Sequence, residues 1–152
     1  MFDIKDKINL INSFQIKCFK FYFDFTVIDE NELILCNDLN VYRVKFNEKE
    51  IETDFIFSEI DYIFKIEKLS NFYVAIVTIK RTNIINIWNI YTNTKIRTIN
   101  IGDFGEINIL RRINQNLTVW THKRIFIIID METFEYIQIF NDVETFEILT
   151  YI

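Results

Sequence analysis

Residues 83–100 read NIINIWNIYTNTKIRTIN and contain two apolar runs separated by a polar turn. Ile85 and Ile87 alternate with a polar residue, which is the period-two pattern of a half-buried β-strand. Residues 91–94 break this pattern, and alternation resumes in the residues that follow them. Asn93 tolerates a positive φ and can take the place of a turn glycine. The stretch therefore predicts a strand, a turn and a return strand.

Short apolar segments of this kind fill the rest of the chain. Ile, Val, Phe, Tyr and Thr dominate them, and polar breaks recur about every eight to twelve residues, which is typical of an all-β protein. The chain has no proline and only 2 glycines, so Asn, Asp, Ser and Thr must form most of the turns. Residues 3–14 fit a short helix or a strand, and their similarity to residues 89–99 favours the strand.

The predicted strands fall into three similar units. The turn strings FNEKEIET, YTNTKIRT and METFEYIQ take corresponding positions in them. In this alignment, Tyr42-Arg43 and Ile129-Asp130 correspond to Trp88-Asn89, at a spacing close to the ~40–45 residues of repeats that form propeller blades. The approximate bounds of the units are residues 16–57, 58–102 and 103–141.

The string IWNIYTNTKIRTI resembles the end of a WD repeat, where a Trp-Asp pair precedes a short turn and a basic strand. Asn89 stands where that family usually has Asp, Asn93 stands where it often has Gly, and the usual Gly-His start is absent. The resemblance implies a β-propeller-like array of about three four-stranded antiparallel blades, with Trp88 packed between blades. It also implies a non-catalytic scaffold for protein–protein contact within a larger intracellular complex.

Both ends of the chain lie outside the three units. Residues 3–14 predict an outer strand without the rest of its blade, and residues 142–152 predict the inner strand of another blade. Propellers need at least about four blades to close, and an open arc exposes apolar faces and strand edges. We therefore expect a protein partner or a second copy to complete the propeller. The alternative is a compact all-β sandwich or barrel that binds a small ligand or acts as an enzyme.

Charge and composition restrict the kind of partner. The net charge is −5, whereas a nucleic-acid-binding protein normally shows a basic face. No apolar run approaches the ~20 residues of a membrane-spanning helix, and the charged N-terminus lacks the core of a secretory signal. We expect a cytoplasmic or nuclear protein that binds neither nucleic acid nor membrane. In those compartments Cys18 and Cys36 are expected to be free and buried.

No residue pattern predicts catalysis, a metal site or a cofactor. Two separate cysteines and His122, which stands alone in a turn, provide neither zinc-ligand spacing nor a nucleophile with its base. Aromatic and basic side chains are instead the candidates for partner binding, because aromatic residues and arginine are enriched at interface centres. The candidates are Trp120 and Arg124, which could form a cation–π pair, and Phe146 and Tyr151 on the terminal strand.

Overall fold

The computed structural model describes residues 24–47 and 51–142. Within these ranges the chain forms three four-stranded antiparallel sheets, in which neighbouring strands are consecutive in sequence. The first sheet consists of β1 (Asp24–Asp29), β2 (Glu32–Asn37), β3 (Asn40–Phe46) and β4 (Ile51–Ser58). The second consists of β5 (Ile63–Lys68), β6 (Tyr73–Thr78), β7 (Arg81–Asn89) and β8 (Thr94–Asn100). The third consists of β9 (Ile107–Ile113), β10 (Asn116–Thr121), β11 (Phe126–Asp130) and β12 (Tyr136–Phe140).

The prediction of an all-β array of three four-stranded antiparallel units is thus confirmed. The predicted partial strands at 3–14 and 142–152 lie outside the described residues, apart from Asp142. The only helical segment in the described part of the chain is one 3-10 turn, Gly102–Phe104. No helix there has the length and the apolar composition that crossing a membrane requires.

The three sheets stand side by side, with β1 against β5 and β5 against β9. Their first strands therefore lie together, and β4, β8 and β12 form the opposite, outermost edges. Three separate sheets are neither the two layers of a sandwich nor one closed barrel, so the alternative sandwich or barrel fold is wrong. The described residues do not close into a ring.

Apolar clusters fill the two interfaces between sheets. The cluster between the first and second sheets contains Ile28, Ile34, Cys36, Val41, Ile56, Phe57, Ile63, Ile66, Val74, Ile76 and Ile90. The cluster between the second and third contains Leu69, Ala75, Val77, Ile85, Ile87, Ile99, Ile101, Ile107, Leu110, Leu117, Val119, Ile127 and Ile129. A third cluster (Leu33, Leu35, Val44 and Phe46) occupies the face of the first sheet that is turned away from the second.

The second strand of each sheet is the most deeply buried. Residues Leu33–Cys36 of β2, Val74–Thr78 of β6 and Leu117–Thr121 of β10 are buried without interruption. The continuous apolar run Ile125–Ile129 predicts the same for the third sheet, but in β11 burial alternates. The prediction is wrong there: Ile127 and Ile129 are buried against the second sheet, whereas Phe126 and Ile128, on the outward face, are only partly buried.

Three of the hydrogen bonds between sheets connect neighbouring first strands, each from a backbone amide to a side chain. The bonds run from Ile66 N to Asp24 Oδ2 (3.0 Å), from Lys68 N to Thr26 Oγ1 (3.1 Å) and from Arg112 N to Glu67 Oε1 (2.9 Å). They satisfy backbone donors on strand edges that would otherwise need water.

One backbone hydrogen bond recurs in all three sheets and fixes their alignment. In each, the end of the third strand donates to the turn between the first two strands: Phe46 N to Asn31 O, Ile90 N to Phe72 O and Met131 N to Gln115 O. By this criterion Ile129-Asp130 does correspond to Trp88-Asn89, as the sequence predicts. The first sheet, however, places Val44-Lys45 at that position, so the alignment of Tyr42-Arg43 is wrong.

The turns use polar residues, as the shortage of glycine predicts. Asn93 has a φ of 56°, and Asp38 and Asn114 are also left-handed, at 53° and 55°. Asn93 thus replaces a turn glycine as predicted. Arg124 and Phe134 are left-handed as well, at 60° and 59°, although neither residue type favours that region.

Asn89 and Asp130, at the ends of β7 and β11, both use a side-chain oxygen to hold the turn that follows. The Asn89 Oδ1 atom accepts hydrogen bonds from two amides of the following turn, and Asp130 Oδ1 accepts from Glu132 N (2.8 Å) and Thr133 N (2.7 Å). The Thr133 amide, helped by the Glu132 amide and the Thr133 hydroxyl, lowers the pKa of Asp130 from its usual 3.8.

Replacing Asp130 should therefore affect stability in a pH-dependent manner. Because the pKa is lowered in the folded state, ionised Asp130 stabilises the protein above its unfolded pKa, and this contribution is lost as the pH falls through the folded pKa. Asp130→Asn keeps an oxygen acceptor, as in Asn89, whereas Asp130→Ala has none. In urea unfolding, Asp130→Asn should be less stable than the wild type near neutral pH, and the difference should shrink as the pH falls below the usual pKa of an aspartate. Asp130→Ala should be the least stable near neutral pH. A stability difference between Asp130→Asn and the wild type that does not change with pH would contradict this account.

Candidate functional site

The loop between β4 and β5 connects the first two sheets at one end of the array. We call this the upper end; it comprises loops 59–62 and 101–106 and the turns between the second and third strands of each sheet. Glu59 N donates to the Leu39 carbonyl (2.7 Å), and Ile63 N donates to the Asp38 carbonyl (2.8 Å). The loop is therefore tied at both of its ends to the β2–β3 turn.

Glu59 is the buried acid of this loop, with 5% of its surface exposed. Its Oε1 atom accepts hydrogen bonds from Trp88 Nε1 (2.6 Å) and Asn86 Nδ2 (3.0 Å), and its Oε2 atom lies 3.3 Å from Lys95 Nζ. The Asn86 Oδ1 atom accepts in turn from Thr98 Oγ1 (3.0 Å). A carboxylate can be buried here because every step of the network is paired.

Trp88 joins this network to the apolar interface between the sheets. Its ring stacks on Phe57 of the first sheet, with ring centres 3.9 Å apart and planes 10° from parallel. The Lys95 ammonium lies 5.1 Å from the centre of the Trp88 ring. The predicted position of Trp88 between blades is confirmed. Trp88 thus connects the apolar interface between the first two sheets to the β4–β5 loop.

Ile60 follows Glu59 and is 86% exposed, the highest value among the large apolar side chains described. Its neighbours on both sides, Glu59 and Asp61, are buried. The Asp61 Oδ1 atom accepts from Tyr62 N (3.0 Å) and lies 3.8 Å from Lys80 Nζ. An exposed isoleucine is thus held on a backbone that its neighbours fix.

A cavity of about 320 Å³ lies beside Ile60. Its lining includes buried polar groups of Glu59 and Asn86 and the exposed cations Lys80 and Arg81. Ile79, which is exposed, precedes the two cations, and its amide donates to the Tyr62 carbonyl (2.7 Å). The upper end of the second sheet therefore combines exposed apolar side chains with positive charge.

The groups with catalytic potential do not come together in the described residues. His122 is exposed on the β10–β11 turn, and Cys36 is a free, buried thiol in the cluster between the first and second sheets. Burial raises the pKa of the Cys36 thiol well above its usual value, and the Asp24 and Glu59 carboxylates add to the effect. A neutral buried thiol is a poor nucleophile. Residues 24–47 and 51–142 also contain no group of three or more side chains suited to holding a metal ion.

The predicted partner-binding residues occupy different environments. Trp120 is only 6% exposed and lies on the face of the third sheet that is turned away from the second, with its ring centre 6.1 Å from that of Phe126. Arg124 is exposed on the β10–β11 turn at the upper end. The cation–π pairs found among the described residues do not include one between these two. Phe146 and Tyr151 lie outside the described residues.

Sequence reasoning did not identify Glu59 and Ile60 as site residues. Residues 58–61 read SEID, in which an isoleucine stands between two acids at the boundary of two predicted units. The position at a unit boundary could have indicated a site, because loops that connect sheets lie on the surface and often carry binding residues. The burial of Glu59 gave no local signal, since its partners Asn86, Trp88 and Lys95 come from the next unit.

Three solved structures show where this arrangement of sheets occurs. The WD40 repeats of RRP9 match with a TM-score of 0.61 and 14% identity, over 79% of this chain and 38% of that one. The WD40 domain of Toxoplasma gondii coronin matches with a TM-score of 0.62 and 12% identity, over 78% and 33%. Hsv2 of Kluyveromyces lactis matches with a TM-score of 0.59 and 16% identity, over 79% and 37%.

These likenesses confirm the fold as that of WD40 β-propeller blades. The chain spans between 33% and 38% of the length of these three structures. No family model and no curated protein sequence matches it. Identities this low establish the fold alone, so the function must be argued from the surface.

Removing the Glu59 carboxylate should destabilise the fold. Glu59→Ala leaves the buried donors of Trp88 and Asn86 unpaired and removes the partner of Lys95. Because Lys95 is partly exposed, we expect a loss of about 2–4 kcal/mol, toward the lower end of what breaking a buried charged network costs. Urea unfolding measures this loss, and Glu132→Ala, at an exposed turn acid, is the matched control. Equal stability of the two variants would show that the network contributes nothing.

Proposed function

We propose that this chain is a non-catalytic scaffold that binds a protein partner at its upper end within a larger intracellular complex. The observation that carries the proposal is Ile60, an almost fully exposed apolar side chain on a loop that buried Glu59 and Asp61 hold in place. A rigid apolar anchor loses little conformational entropy on binding, which is the property of residues that dominate interface energies. The WD40 fold supports the proposal, because propellers offer rigid, many-sided surfaces.

The surroundings of Ile60 indicate the chemistry of the partner. Ile60 and Ile79 offer apolar contact, and Lys80 and Arg81 place two exposed cations next to it. An extended peptide with an apolar side chain beside a carboxylate matches both features. Arg124 adds a third exposed cation at the same end and remains a proposed partner contact. The net charge of −5 argues against nucleic acid as that partner.

We further propose that additional blades, from a protein partner or a second copy, pack on the outward faces of the first and third sheets. The outward face of the first sheet carries the cluster of Leu33, Leu35, Val44 and Phe46, and that of the third carries Trp120 and Phe126. These positions correspond to the ones that form the two interfaces within the chain. Phe146 and Tyr151 remain proposed contacts for such a blade.

Panning of a phage-displayed peptide library on the immobilised chain tests binding at the upper end. Selected peptides should combine an apolar residue with Asp or Glu. Their binding should be lost in Ile60→Asp, because a carboxylate at this position removes the apolar contact and repels the acidic group. Arg81→Glu should weaken their binding as well, because it reverses one of the two exposed charges and leaves the Lys80–Asp61 ion pair intact.

Ile96→Asp on β8 is the control, since Ile96 is also exposed but lies on an outer strand. Peptides that bind the wild type and Ile60→Asp equally well would refute the proposed site. An equal loss of peptide binding in Ile60→Asp and Ile96→Asp would indicate that both variants are unfolded. Circular dichroism of both variants checks this.

A further inference from the structure

The three outermost strands differ in one property that bears on association. β4 contains Glu52 and Asp54, and β8 contains Lys95 and Arg97, whereas β12 reads YIQIF and has no charge. Charges on an edge strand prevent it from pairing with other strands. One position of the outermost strand is equivalent in all three sheets, because it pairs with the same position of the third strand. The pairs are Asp54 with Arg43, Arg97 with Ile87, and Gln138 with Ile128. The charge that protects the first two edges is therefore replaced by an amide in the third.

The strand β12 is also open to solvent along its whole length. All five of its residues are exposed, and four of them are aromatic or aliphatic. It pairs with β11 along one edge, and within residues 24–47 and 51–142 no strand occupies the other. Its unpaired amides and carbonyls thus form a free, uncharged edge.

Contacts at both ends hold β12 in place. The Tyr136 hydroxyl donates to the Asn100 carbonyl of the second sheet (2.8 Å), and the Tyr136 ring lies 6.0 Å from Phe104. At the other end the Phe140 ring lies 6.0 Å from Phe126. An edge that is already ordered loses less entropy when another strand is added to it.

We infer that β12 is a strand-addition surface that pairs antiparallel with β12 of a second copy. A two-fold axis near Gln138 would place the uncharged strand opposite itself and continue the third sheet into its copy. The same arrangement of β4 or β8 would place like charges opposite each other, which is unfavourable. Absence of charge is what makes β12 its own suitable partner, because no like charges then meet across the two-fold axis.

The surface involved is short, so the dimer should form in a concentration-dependent manner. It is independent of the upper end, because β12 lies on the outer edge of the third sheet. It also differs from stacking of additional blades, which would use the outward faces of the first and third sheets instead of a strand edge.

Sedimentation velocity over a range of concentrations tests the inference. The wild type should show a dimer, and Gln138→Arg, which gives β12 the charge that Arg97 gives β8, should lose it. Gln138→Asn should keep it. Val27→Asp should keep it too, since Val27 is exposed on the outward face of the first sheet, where a stacked blade would pack.

Three outcomes of this experiment would overturn the inference. They are a wild type that is monomeric at every concentration, a dimer that persists in Gln138→Arg, and a dimer that is lost in Val27→Asp. Disulfide formation gives a second measurement. Gln138→Cys should form a covalent dimer under mild oxidation, whereas Ile96→Cys on β8 and the wild type should not. Covalent dimers in equal yield from Gln138→Cys and Ile96→Cys would count as random collision and against a specific β12 pairing.

Discussion

The whole array depends on the fact that the second sheet buries both of its faces. Val74, Ala75, Ile76 and Val77 are consecutive residues of β6, and none has measurable exposure. Because neighbouring residues of a strand point to opposite faces, an apolar layer is required on each side of the sheet. The first sheet supplies one layer and the third supplies the other. None of the three described sheets could satisfy that requirement alone, so we expect each to depend on its neighbour for stability.

This mutual burial brings together the groups that hold the β4–β5 loop, and that connects the fold to the proposed function. The β4–β5 loop crosses from one sheet to the next at the place where Trp88 stacks on Phe57, and Glu59 fastens the loop to Trp88. Ile60 is presented to solvent as a consequence of this packing. At the outer edge of the third sheet the same packing orders β12 but leaves its free edge uncovered. The two proposed surfaces thus arise from one architecture and face different directions.

The fold could be predicted from the sequence because its rules are local. Alternation over residues 83–89 predicts β7, Asn93 predicts a left-handed turn residue, and the recurrence of the pattern predicts three units. The errors came where a local pattern is ambiguous. The five consecutive apolar residues 125–129 predict deeper burial than Leu117–Thr121, which contains two threonines. The Thr118 hydroxyl is satisfied by the Arg111 carbonyl (2.8 Å), whereas Thr121 is fully buried although its hydroxyl has no hydrogen-bond partner among the described residues.

The strands, their polar turns and the need for apolar neighbours follow from the order of the residues, since each depends on side-chain period and turn chemistry. The alignment of the first unit emerges from the packed fold instead, because a backbone hydrogen bond from Phe46 to Asn31, and no side-chain motif, sets it. The packed fold also decides which acid is buried and which isoleucine is exposed. Glu59 is buried because Asn86, Trp88 and Lys95 reach it from 27 to 36 residues away. Such a convergence depends on how one sheet is placed against the next, and no local pattern encodes it.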